Sequence, residues 1–416
     1  MTQALPPAAQ LKLELLFHGV RYSDALGAAA AHAFPNFFPY RFAPGEHDPT
    51  GEGKAAIPYL MRFADGTSLR VKGNAASPWS VDGAAAGGYA LHKHGAPHAA
   101  IAVDFEPRPA WMGRNTSDGM PMAAAGVSLH ADMAVVNIAP GCQYFLPDPS
   151  GGTAARCTFC TYGAPDARMR TLGQDIDAVA IPEAAYRHLD ETLTAVLDEG
   201  GIRHIYLVGG SMRDWHEEGR RFIELARRVQ RSVRHRVPVS CGSGALPDDA
   251  LDVLHEEGLV DNVCFNLEVW PQSLFERVCP GKARYVGFAR WLAALEAAVA
   301  RFGRGHVYSA MVAGIELEPE HAMSWQQAAA LALQGAEALC ARGIIPIYSL
   351  YWPLGGRDRG TYQDDLMAYF ERLNLGTREI RARHGLSIQD SFMCHRCAYM
   401  QLECDLDRAA ARKPPA

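Results

Sequence analysis

No apolar run in this 416-residue chain approaches the roughly 18 residues that a membrane-crossing helix requires, so no membrane span is expected. The opening MTQALPPAAQ lacks the basic and apolar segments of a secretory leader, and the expected location is the cytoplasm. Charge is sparse: 21% of residues are charged, the net charge is -6, and no basic stripe of the kind that binds nucleic acid stands out. Arg220, Arg221, Arg227, Arg228, Arg231 and Arg234 fall at helical spacing and read as the solvated face of one helix. No short internal repeat is found. A small-molecule partner is therefore expected, with neither nucleic acid nor membrane.

What is abundant is apolar residue, at 48%, enough for a sizeable core. The length fits one large catalytic unit with additions. Ten cysteines in a cytoplasmic chain argue for metal rather than disulfides, because that compartment keeps thiols reduced.

Residues 1–130 are irregular, with short strand-like runs at Tyr59 to Phe63 and Ala99 to Phe105, and read as an N-terminal α+β extension. From about residue 133 strands and helices alternate. Strands are expected at Ala134 to Ala139, His204 to Val208, Val237 to Cys241, Val263 to Leu267, His306 to Ala313 and Ile344 to Leu350. Helices are expected from Pro182 to Gly200, over Glu218 to Arg234, between Pro247 and Gly258, up to Phe302, over Ser324 to Arg342 and from Tyr362 to His384. Six βα units in succession predict an α/β fold, a partial or full TIM-like barrel, as (β/α)6. The expected division is an extension (1–130), a barrel core (131–385), a cysteine-rich segment (386–408) and a disordered tail (409–416).

Residues 142–160 read CQYFLPDPSGGTAARCTFC. Cys157 and Cys160 form a C-x2-C pair, and Cys142 precedes them across a Pro/Gly/Ser loop. Three thiolates suit an iron–sulfur cluster with one iron left open. A structural zinc or plain core cysteines remain alternatives. The motif directly follows the first barrel strand, where barrel enzymes place their chemistry.

This segment resembles the radical S-adenosylmethionine (SAM) superfamily, whose usual motif is C-x3-C-x2-C; the departure is the C-x14-C first spacing. The core is most similar to biotin synthase-like members. The resemblance implies a [4Fe–4S] cluster on Cys142, Cys157 and Cys160, with Phe159 against the adenine of SAM. Val208-Gly209-Gly210-Ser211 resembles the Gly-Gly-Glu-like segment that contacts the SAM amino group, with Ser211 in the third place. Asn266 and Glu268 match a polar pair that meets the ribose and methionine moieties. Gly314, in AGIELE, resembles the segment below adenine, and Pro353, in IPIYSLYWPLGGR, the strand end beside it. The resemblance covers roughly residues 133–360. It implies reductive cleavage of SAM to a 5′-deoxyadenosyl radical that abstracts hydrogen from a small molecule. An external low-potential reductant such as flavodoxin or ferredoxin is then needed.

Lys282 and Arg284, after the fourth strand, can bind a substrate carboxylate or sit in a solvated loop. Cys241, Cys264 and Cys340 read as small core residues. Residues 394–404, CHRCAYMQLEC, place Cys394, Cys397 and Cys404 in a second cluster. An auxiliary iron–sulfur cluster, a zinc knuckle and loose thiols are the alternatives, with His395, Asp405, a distant cysteine or the substrate itself as candidates for the fourth ligand. Leu386 to Met393 looks strand-like and is expected to carry this cluster up to the catalytic face. His92, His94 and His98 read as a surface loop. The rival functions are a zinc-stapled barrel or binding protein, and a methyltransferase using SAM as methyl donor.

Overall fold

The computed structural model describes residues 5–23, 26, 40–41, 54–55, 58, 60–74, 76–83, 88–94, 100–160, 180–321, 323–351 and 363–411. Pro353 and His98 lie outside these residues, as does 412–416 of the expected tail. The expected tail's 409–411 belongs to the closing helix instead.

The chain opens with helix α1 (Pro7–His18), whose Pro7 sits in the first turn, where its missing N–H costs nothing. Short strands follow: β1 (Arg21–Tyr22), β2 (Tyr40–Arg41), β3 (Lys54–Ala55), β4 (Leu60–Phe63), β5 (Ser68–Arg70), β6 (Trp79–Gly83), β7 (Tyr89–Lys93) and β8 (Ile101–Phe105). Six of them form one sheet in the order β1-β6-β7-β8-β4-β5, and β2 pairs with β3. The sheet buries Met61, Leu69, Val81, Leu91 and Phe105 against Leu15 of α1. The same helix sends Leu13, Leu16 and Phe17 into the main core, so it is shared by both layers.

A second sheet contains β9 (Val127–His130), β10 (Met133–Val136), β11 (His204–Val208), β12 (Val239–Ser243), β13 (Asn262–Phe265), β14 (Val307–Ala313) and β15 (Ile344–Leu350). Its strands lie in sequence order, with β10 to β15 parallel and β9 antiparallel at one edge. Helical crossovers join the parallel strands: α2 (Glu183–Glu199), α3 (Trp215–Val233), α4 (Asp248–Glu256), then α5 (Gln272–Val278), α6 (Pro280–Tyr285) and α7 (Phe288–Phe302), and then α8 (Trp325–Ala341). α9 (Gln363–Arg383) and α10 (Glu403–Ala411) complete the chain. Central strands such as β12 and β13 are buried on both faces, as parallel strands covered by helices must be.

The sheet curls. Val135, Tyr206, Gly242, Cys264, Ala310 and Ile347, one from each parallel strand, line a single cavity. Among the described residues β9 and β15 do not pair, so the six βα units form a partial barrel. Strand positions match the periodicity to within a few residues. α3 starts at Trp215 rather than Glu218, because the Asp214 carboxylate caps it by accepting from the His216 and Glu217 N–H groups. Its arginines are mostly solvated: Arg227 pairs with Glu257 and Arg228 with Glu183, but Arg221 is buried against Gly210.

One expectation fails. Leu386 to Met393 is not a strand; it turns beneath the barrel. Its polar groups are taken by the strand starts above it: the Tyr308 hydroxyl accepts from the Gln389 N–H, and Asn262 donates to the Ser391 hydroxyl. Phe392 stacks on Tyr308 with ring centroids 3.6 Å apart and closes the lower end of the lumen.

Candidate active site and metal centre

The lumen holds a cavity of about 480 Å³ that runs from the carboxyl ends of the strands to their amino ends. At the upper end Cys142, Cys157, Phe159 and Cys160 line it, together with Gly209, Gly210, Ser211, Asn266, Glu268 and Lys282. At the lower end it meets Met133, Phe392, Met393, Cys397 and Tyr399. All ten cysteines are free thiols.

The long loop from Cys142 to Cys157 is held by specific bonds. The Arg213 guanidinium donates to the Leu146 and Pro147 carbonyls, and the Arg213 N–H donates to Gln143 Oε1 at 2.9 Å. Asp148 accepts from Ser150 inside the loop and from Arg284 and the Tyr285 hydroxyl of α6. Tyr144 stacks on Tyr285 at 5.4 Å. Gly281 lets that helix approach: a Cβ there would lie 2.6 Å from both the Ala155 carbonyl and the Tyr144 ring. Arg284 is thus engaged with the loop rather than facing the cavity.

The Gly-Gly-Ser turn after β11 supports the start of the same loop. The Gln143 N–H donates to the Ser211 carbonyl and the Gly210 N–H to that of Ala139, both at 2.9 Å. A Cβ on Gly210 would lie 2.0 Å from the Gly141 carbonyl oxygen, so only glycine allows this approach. Buried Glu218 ties neighbouring strand ends together by accepting from the Met212 and Gly244 N–H groups, and burial raises its pKa.

The thiols respond to one another. Burial pushes the Cys142 thiol up to about 12, and the charges of Cys157 and Cys160 add to the effect. Cys157 is held below the ordinary thiol value by a hydrogen bond from Cys279 and by the charge of Lys282. Thiolate is the form that binds metal, and these two contacts favour it at Cys157. Cys279 is a participant the spacing did not reveal.

Glu268 and Lys282 form a buried pair. Lys282 Nζ donates to Glu268 Oε1 and to the Asn266 carbonyl, each at 2.6 Å, with the two side chains 8% and 11% exposed. Burial raises the Glu268 pKa even beside this ammonium. Lys282 therefore neutralises a carboxylate of its own chain, and Asn266 and Glu268, just past the end of β13, both line the lumen.

Gly314 sits apart from this cavity. Its φ is +104°, its N–H donates to buried Glu316, and a Cβ would overlap Leu366 of α9 at 2.3 Å. Burial lifts Glu316 to about 7. Cys241, Cys264 and Cys340 are buried as expected, although Cys264 also lines the lumen.

The second cysteine group lies at the opposite end of the strands from the expected catalytic face. Cys394 and Cys397 meet Asp132, just before β10, and His204, the first residue of β11. The ligand atoms of these four buried residues all lie within 4.8 Å of one another. No other such group of three or more is found among the described residues, so the upper thiols are not packed at single-ion spacing. Cys404 is not in the group; its Sγ lies 3.7 Å from the Met393 carbonyl. Nor are two of the suggested fourth ligands: His395 lies against Gly66, and Asp405 pairs with Lys12 at 2.7 Å. Of the N-terminal histidines, His92 belongs to β7, and His94 follows that strand with its N–H donating to the Pro78 carbonyl.

No helix among the described residues is long and apolar enough to cross a membrane. No protein-family model matches the chain. Over 263 residues it is 24% identical to a bacteriochlorophyllide c C-7(1)-hydroxylase from Chlorobaculum limnaeum; the match takes in 60% of this chain and 59% of that protein. The chain is also similar to the FeFe-hydrogenase maturase HydG from Carboxydothermus hydrogenoformans. That likeness has a TM-score of 0.40 and 13% identity, covering 62% of this chain and 52% of the other. The three-cysteine loop on the upper wall of the (β/α)6 half-barrel stands where the resemblance to the radical SAM superfamily, read from the sequence, would have it.

Proposed function

We propose that the chain binds a [4Fe–4S] cluster through Cys142, Cys157 and Cys160, reductively cleaves SAM there, and uses the product on a small organic molecule. The observation that carries this reading is that three thiols of one loop share a cavity with Gly209, Gly210, Ser211, Asn266 and Glu268. The donor set fits such a cluster: three sulfurs, one of them lowered in pKa by its neighbours, without the compact fourth ligand of a closed single-ion site. When bound, the cluster supplies one electron to the sulfonium of SAM and so gives access to a 5′-deoxyadenosyl radical.

The chain's own residues do the positioning. Arg213, Arg284 and Tyr285 fix the loop that carries Cys142 and Cys157. Phe159 offers a ring beside the thiols for the adenine, and the Gly-Gly-Ser turn offers close backbone approach. Glu268, oriented by Lys282, and Asn266 present hydrogen-bonding oxygens to a ribose. Pro353 belongs to the same proposal by resemblance, whereas Gly314 supports it only through the packing of α9. The lower lumen, lined by Met133, Phe392 and Met393, suits a substrate with an apolar body. The relative's name places its own reaction on a bacteriochlorophyllide; for this chain we propose only hydrogen abstraction from a small molecule, with a flavodoxin- or ferredoxin-class reductant. The division at residues 130, 385 and 408 is retained as part of this reading. The C-terminal cysteines enter it as a metal site at the lower end of the same cavity.

The test is to incubate anaerobically purified protein with SAM and dithionite and to assay 5′-deoxyadenosine. The wild type is expected to form it, and Cys157→Ala to form none while keeping its far-ultraviolet circular dichroism. Full cleavage by that variant defeats the assignment. So does zinc at the upper thiols, or methylated product without 5′-deoxyadenosine.

A further inference from the structure

The lower cysteine group is too compact, and too mixed in donor type, for the auxiliary iron–sulfur cluster that its spacing suggests. We propose that Asp132, His204, Cys394 and Cys397 bind one tetrahedral divalent ion, zinc by ligand type, which closes the bottom of the barrel.

The distances match a single ion. Cys394 Sγ and Cys397 Sγ are 3.9 Å apart. Zinc–sulfur bonds of ~2.3 Å at tetrahedral angles set two sulfurs about 3.8 Å apart, and a sulfur about 3.5 Å from a bound nitrogen or oxygen. Cys394 Sγ is 3.3 and 3.4 Å from the two Asp132 oxygens, and His204 Nε2 is 3.1 Å from Cys397 Sγ. A four-iron cluster carries one ligand on each iron and so spreads its ligand atoms more widely. Two thiolates, an imidazole and a carboxylate form a closed set of the kind found in structural zinc sites.

A second observation points to an ion. His204 Nδ1 lies 3.0 Å from the Asp390 carbonyl, which can only accept. The proton is therefore on Nδ1, and Nε2 turns a lone pair toward Cys397. Metal-bound histidines are commonly fixed in this way by a backbone carbonyl. The Cys394 N–H donates to Cys397 Sγ at 3.2 Å and fixes the sulfur's position. The fully buried Asp132 carboxylate meets the Cys394 thiol and, at 3.8 Å, the Arg396 guanidinium. Two thiolates and a carboxylate carry three negative charges. Once bound to metal, that charge would be balanced by a divalent ion together with Arg396.

The ion would join the starts of β10 and β11 to the segment that plugs the lumen. This inference is independent of the upper cluster, and its test keeps the two apart. Metal would be measured in full-length wild type, in Cys157→Ala and in His204→Ala, each purified anaerobically. About one zinc per chain is expected in the wild type and in Cys157→Ala, falling at least fivefold in His204→Ala. Zinc-edge X-ray absorption should show two sulfur and two nitrogen or oxygen neighbours at about 2.3 and 2.0 Å. Cobalt loaded into the wild type should give the intense bands of a tetrahedral thiolate site, a readout that needs no variant to fold. Roughly eight irons per chain, dropping to about four in Cys397→Ser, would show a second cluster and overturn the proposal. Metal-free protein that rejects both zinc and cobalt overturns it equally.

Discussion

Replacing Lys282 by methionine isolates the electrostatics of the upper site. Its ammonium lies 2.6 Å from a carboxylate on a side chain only 11% exposed. Removing one partner of such a pair strands the other, at a cost of about 3–5 kcal/mol. At roughly 2.1 cal/mol/K of unfolding entropy per residue, this 416-residue chain shifts by about 1 °C per kcal/mol, so the melting temperature falls by on the order of 3–6 °C. The pH dependence follows from the carboxylate left behind. Burial already raises the Glu268 pKa, and loss of Lys282 raises it further. A carboxyl whose folded pKa exceeds its unfolded value stabilises the fold fully only below the unfolded value. That contribution is lost as pH rises through the folded value. The deficit of Lys282→Met is therefore largest near pH 8 and shrinks toward pH 5. Adding Glu268→Leu removes the stranded group and should restore most of the loss at pH 8. Thermal melts of the full chain followed by circular dichroism provide the comparison. A deficit that is constant between pH 5 and pH 8, or a double variant as unstable as the single one, refutes the reasoning.

Gly210→Ala should displace the Cys142 loop, since the new Cβ falls 2.0 Å from the Gly141 carbonyl oxygen; cluster iron is expected to drop by more than half, with a stability loss of about 1–3 kcal/mol. Iron analysis and a melt of the same preparation check both. Glu316→Gln keeps an oxygen for the Gly314 N–H and the Tyr369 hydroxyl but removes a titration raised to about 7. Wild type loses that contribution as pH climbs from about 4.5 to 7, so the variant should gain up to about 3 kcal/mol relative to wild type at pH 8 and almost nothing at pH 4. Equal effects at both pH values count against it. Lys12→Met should destabilise by about 3–5 kcal/mol, because Asp405 would stay buried without its cation, and Lys12→Met with Asp405→Leu should recover most of this in a denaturant titration.

The barrel was legible because its signals are local: apolar runs of strand length, amphipathic helices, and stops at Gly200 and Gly258. The three upper thiols were legible because a single loop carries them. The lower site was half legible. Cys394 and Cys397 announce themselves by spacing, but Asp132 and His204 sit at the starts of two strands far earlier in the chain, and only the folded sheet brings them near. The strand assigned to residues 386–393 misplaced that site, since the segment turns beneath the barrel and sends Phe392 and Met393 into the lumen instead of pairing with a neighbour. Lys282 was read as a binder of a substrate carboxylate or a solvated loop residue, although Pro280 stands at the first position of a short helix, a signal available in the sequence. Its partner, fourteen residues earlier, was not visible without the turn after β13.

The six-stranded sheet near the amino end also touches the lower plug. The Ser68 and Arg70 N–H groups of β5 donate to the His395 and Tyr399 carbonyls, and Arg408 donates to the Asp65 carbonyl at 2.8 Å. The barrel floor is thus stitched from early and late parts of the polypeptide. During synthesis the upper mouth can acquire its shape once residue 351 has left the ribosome. The floor must wait for the segment that follows α9 to emerge and find a sheet made hundreds of residues earlier. A nascent chain paused before Leu386 would be a partial barrel without its floor.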